Sequence, residues 1–71
     1  MSRRDLVYER SVRNIAEAIE RTALAAGGAR IEALWPAVAA CGGSRAAFDH
    51  ALVVLVNLGH ARREGARLVP P

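Results

Sequence analysis

The sequence has 71 residues, enough for one small domain, and a chain of this length buries only ~60% of its unfolded surface when it folds. Hydrophobic residues make up 52% and aromatic residues 4%, so the core has to be assembled from alanine, valine and leucine rather than from rings. The formal charge is +3 with arginine at every Lys+Arg position, which bears on encounter with anions rather than on a site, and the lone Cys41 excludes an internal disulfide and a cysteine-rich zinc centre.

Residues 1–10 read as an N-terminal arm, with Leu6, Val7 and Tyr8 as an apolar anchor onto the domain or a partner. The arm is basic, but no apolar core of a secretory signal follows it, and no run approaches the ~20 apolar residues that span a bilayer. A cytoplasmic protein without a membrane partner is expected.

A single domain is expected over residues 11–71. Ser11 is placed to cap the first helix, which stops at Gly27 and Gly28. Val12, Ile15, Ala16, Ile19, Ala23 and Ala26 recur at helical spacing on one face, with Arg13, Glu17, Glu20 and Arg21 outside it. Leu24 falls among the charged residues, as part of a frayed last turn or as a partner contact.

Residues 29–31 form a very short extended stretch, and residues 32–40 a second helix carrying Leu34, Trp35 and Val38. Pro36 lacks an N–H, so it is tolerable only if that helix begins close before it. Trp35 serves either the core or an interface, and the core is favoured. Cys41, expected to be buried beside the glycine turn, leads into Gly42 and Gly43, and Ser44 caps a third helix over residues 46–58. Phe48, Ala51, Leu52, Leu55 and Leu58 make its core stripe, Val54 and Val56 flank it, and Asp49, His50, Val53 and Asn57 lie opposite. After Gly59, HARR and ARLV around Glu64-Gly65 read as a β-hairpin whose Leu68 and Val69 cover the helices.

Helix, minimal strand, helix, glycine turn, helix and hairpin is the order of a winged helix-turn-helix domain: mainly α with a small β-hairpin, and residues 29–31 as a third sheet edge. The alternative is a three-helix bundle with an irregular tail. The segments SVRNIAEAI, IEALWPAVA and FDHALVVLVNLGHARREGARL resemble the small middle components of bacterial ABC-three-component systems. The matching positions are Glu32, Leu34 and Trp35, then Phe48, Ala51, Leu52, Leu55, Leu58 and Gly59. The resemblance covers most of the chain after Ser11. It implies a non-catalytic adaptor beside an effector and an ATPase resembling SMC (structural-maintenance-of-chromosomes) or DNA-repair proteins, in defence against phage or plasmid DNA. It carries no catalytic residue and no cofactor.

The third helix of a helix-turn-helix protein reads base edges with Arg, Lys, Asn or Gln, and Asp49 and Val53 are poor choices beside a polyanion. The residues therefore favour protein contact through Leu6, Tyr8, Leu24, Asp49, Val53, Val56 and Asn57, with a homo-oligomer left open. Arg45, Arg62, Arg63 and Arg67 are candidates for sequence-independent contact with a nucleic-acid backbone, partner carboxylates being the competing ligand. A small DNA-binding regulator is the second reading. His50, His60 and Cys41 lack metal-ligand spacing, no phosphate-binding loop is present, and no enzymatic activity is expected.

Overall fold

The computed structural model describes the backbone of residues 3–71 and the side chains of residues 6–71; positions 1 and 2 of the expected arm lie outside it. Helix α1 spans Arg3–Ile19, so the segment read as an arm is helical from Arg3 and Ser11 lies inside the helix instead of capping it. Serine caps a helix only where the preceding backbone leaves helical geometry. Here nothing upstream breaks the helix, since residues 3–10 hold neither glycine nor proline. Tyr8 also extends the face formed by Val12, Ile15 and Ile19 and docks on a later helix of the same chain.

A π-helical turn, Glu20–Leu24, follows directly. Thr22 Oγ1 donates to the Ala18 carbonyl at 2.7 Å, a local bond that competes with the regular ladder. A π turn takes more residues per revolution than an α turn, so Leu24 comes round from the charged face and packs, half-buried, against the core beside buried Ala23. Ala26, expected on the core face, is exposed beyond this shift.

Strand β1 (Ala29–Arg30) leads into α2 (Ile31–Ala40), which begins one residue earlier than its sequence pattern suggests. Pro36 sits in the second turn of α2, on an exposed position where its missing N–H costs one bond. Helix α3 (Arg45–Asn57) starts at Ser44, whose hydroxyl accepts from the Ala47 amide at 3.1 Å, the cap its sequence implies. The three helical segments end alike. The amides of Gly28, Gly43 and His60 donate to the Ala23, Val38 and Leu55 carbonyls at 2.8, 2.9 and 2.9 Å, each just past a glycine of positive φ. Leu58, expected in the core, is 64% exposed because the chain leaves α3 there; Cys41, at the end of α2, is exposed for the same reason.

Strands β2 (Arg62–Glu64) and β3 (Arg67–Val69) form the expected hairpin, but Glu64 belongs to the strand and the turn is Gly65-Ala66. Positive φ at Gly65 alone is the pattern of a type II′ turn. The tail is not irregular: β3 pairs antiparallel with both β2 and β1, giving a three-stranded sheet of order β1-β3-β2 on a mainly helical domain. Phe48 and Leu68 are fully buried, and the core around them comes from α1, α3 and the hairpin, with Ile31 at the start of α2. Trp35 lies half-buried at its margin, 5.5 Å from the Phe48 ring. Among the described residues no helix is long and apolar enough to cross a membrane.

Gly28 is where the sheet meets the end of the first helical segment. A Cβ there would lie 2.8 Å from the Leu68 carbonyl oxygen and 3.0 Å from a Val69 methyl, at φ +112. Gly27, at φ +95, faces open space. Gly28→Ala is therefore expected to destabilise the domain by at least about 1–3 kcal/mol, and Gly27→Ala by less, in chemical denaturation at unchanged m-value.

Candidate functional site

The strand register divides the hairpin arginines between two faces. Arg63 is opposite Leu68, and cross-strand partners share a face, so Arg63 lies on the side that packs against the helices. Arg62 and Arg67 fall on the other side of the sheet, because successive strand residues alternate.

On the Arg63 side, α3 and the hairpin enclose an open groove of about 220 Å3. Buried Leu52 and Leu68 form its floor, Val53, Val56 and Asn57 its helical wall, and Arg63 its charged rim. Val53 and Val56 are 53% and 38% exposed, so this wall is apolar surface that the domain does not cover. Three residues singled out as protein-binding from sequence, Val53, Val56 and Asn57, therefore meet one singled out for phosphate, Arg63. Arg63 Nε donates to the Gly65 carbonyl at 3.4 Å, and among the described residues no ion pair engages its fork.

The N-terminal half of α3 is occupied by contacts within the chain. Arg45 is clamped by Glu32, with Nη1 on Oε2 at 3.1 Å and Nη2 on Oε1, while its Nε donates to Asp49 at 3.2 Å. The guanidinium also lies 5.3 Å from the Trp35 ring centroid and 5.2 Å from that of Phe48. Arg45 and Asp49, read from sequence as a phosphate contact and a partner contact, thus join α3 to α2. The Tyr8 hydroxyl donates to the Ala46 carbonyl at 3.4 Å and lies 3.2 Å from His50 Nδ1, and the two rings stack with centroids 5.7 Å apart, so Tyr8 anchors α1 to α3. Leu6 is exposed, and Leu24 packs on the core. At the far end of α3, His60 Nδ1 meets Glu20 Oε1 at 3.0 Å.

On the opposite side of the sheet, Arg30 stands directly across from Arg67, and Arg62 bonds Glu64. Arg30 is the residue that sequence reasoning missed as a possible ligand. Its neighbour Arg67 is remote in sequence, and only the β1–β3 pairing brings them together. No protein-family model, characterised protein or solved structure matches this chain.

The hydrogen bonds from Arg45 hold the Glu32 carboxyl below its ordinary value of 4.5, against a smaller opposing effect of desolvation. Glu32 thereby contributes stability that is fully present above that ordinary value and is lost as pH falls below it through the folded-state value. Arg45→Ala is expected to return the Glu32 midpoint toward 4.5, read by NMR titration of its carboxyl carbon.

Proposed function

We propose that the chain is a non-catalytic adaptor with a winged helix-turn-helix architecture, and that it holds a partner protein in the groove between α3 and the hairpin. The observation that carries this reading is the Val53–Val56 wall above Leu52 and Leu68, left exposed among the described residues. Exposed apolar side chains lining one concavity, with a polar rim, suit a protein surface better than a polyanion. The strand order β1-β3-β2, with β1 lying between the first two helical segments, supports the winged architecture.

The resemblance to ABC-three-component middle components makes an SMC-like or DNA-repair-like ATPase and an effector the expected partners. Cytoplasmic defence against phage or plasmid DNA would be the setting, and ATP hydrolysis or nucleic-acid cleavage would rest with those partners. A sequence-reading DNA regulator draws less support, because Asp49 and His50 are bonded to Arg45 and Tyr8 and the next outward positions of α3 are apolar. Asn57 is the one remaining side chain there suited to a base edge.

Co-expression with an ATPase and effector encoded beside the chain tests the proposal. The wild-type chain is expected to co-elute with them, and Val53→Asp to abolish co-elution while circular dichroism and the melting transition of the isolated domain change little, as for a surface substitution within about 0.5 kcal/mol. A Val53→Asp complex that assembles normally overturns the groove as the docking surface.

A further inference from the structure

The outer face of the sheet, on the side away from Leu68, has a different chemistry from the groove. Arg30 and Arg67 are directly opposed across β1 and β3, and Arg62 lies in the adjacent row beside Val69. Like charges opposed in a sheet destabilise it. Glu64, across from Arg67 on the other strand, is the carboxylate placed to relieve them, but it accepts from Arg62 instead. Among the described residues no ion pair engages Arg30 or Arg67, and both are exposed.

We propose that Arg30 and Arg67 form a binding site for the phosphodiester backbone of nucleic acid, beside the Arg62–Glu64 ion pair. Two exposed planar forks on neighbouring strands can each take a phosphate through paired N–H donors. Among the described residues of the three strands, half-buried Val69 is the only apolar side chain on this face, which offers little for the anchoring residue that protein interfaces rely on. Attraction here is electrostatic and independent of geometry at base edges, which suits a polyanion contacted without sequence readout. Arg63 is excluded because it faces the groove, and Arg45 because Glu32 and Asp49 hold it. The two surfaces lie on opposite sides of the hairpin, so a partner in the groove leaves the arginine face open. This site does not depend on the groove's occupant.

The test is fluorescence anisotropy of a short labelled duplex with the full chain at graded salt. The Arg30→Gln/Arg67→Gln variant is expected to lower the slope of log affinity against log salt by about 1.8, corresponding to two lost contacts, and to weaken binding on the order of 50-fold near ~0.1 M salt. Arg67→Gln alone should give half the change in slope, and it provides the readout if the double variant does not fold. Without DNA, the double variant should melt no lower than wild type, since a like-charge opposition has been removed. Arg10→Gln/Arg13→Gln, which removes the same charge from the exposed face of α1, should leave the slope unchanged. Absence of duplex binding by the wild type, an unchanged slope, or an equal loss in both pairs of variants overturns the proposal. So does a poly-glutamate peptide that binds as tightly and with the same arginine dependence, because the ligand would then be a protein carboxylate.

Discussion

The pairing of Ala29 and Arg30 with Leu68 and Arg67 is the contact on which the arrangement of this domain depends. It ties the end of the chain to the link between its first two helical segments, and the Ile31 amide extends the tie by donating to the Ala66 carbonyl at 2.8 Å. Leu68 is thereby pressed into the core and excluded from solvent. Because strand neighbours alternate in direction, burying Leu68 dictates that Arg63 faces α3 while Arg30 and Arg67 face away. A slip of one residue would exchange the charged and apolar surfaces. Gly28 permits the close approach, since only a hydrogen fits between it and the Leu68 carbonyl.

Burial of Ala47, Phe48, Ala51, Leu52 and Leu55 seats α3 in the core, and two further contacts, both involving rings, hold its polar N-terminal half. Tyr8 stacks on His50 from α1, and Arg45 lies over Trp35 and Phe48 while gripping Glu32 of α2. These are exposed interactions of modest individual strength. They engage polar groups on the N-terminal half of α3, whereas in its C-terminal half Leu52 and Leu55 are buried and Val53 and Val56 are left exposed beside the hairpin.

Local chemistry made much of this fold legible in the sequence. Glycines after each helical segment, the cap at Ser44 and the hairpin near Gly65 all act within a few residues of themselves, and the structure carries them. Ser11 misled because a good cap residue is only permissive, and no breaker precedes it, whereas Gly42 and Gly43 do precede Ser44. The rotation of Leu24 into the core was hidden by the assumption of constant helical pitch, which the π turn breaks. Leu58 fitted the stripe of α3 by spacing but stands at the point where the helix stops. The Val53 wall was readable from periodicity; Arg30 beside Arg67 was not, because no local pattern encodes a pairing between distant strands.

The shared way in which the helical segments end also bears on how the molecule assembles. Each reversal is encoded by a glycine and a hydrogen bond within six consecutive residues, so the chain direction after every helix is set before any distant contact forms. Helices and hairpin can then organise on local information, and both the packing of α1 on α3, where Tyr8 meets His50, and the joining of β1 to β3 demand closure of long loops. The two-residue β1 is the shortest strand of the sheet, so its amides are expected to exchange faster than those of the helical core beneath it.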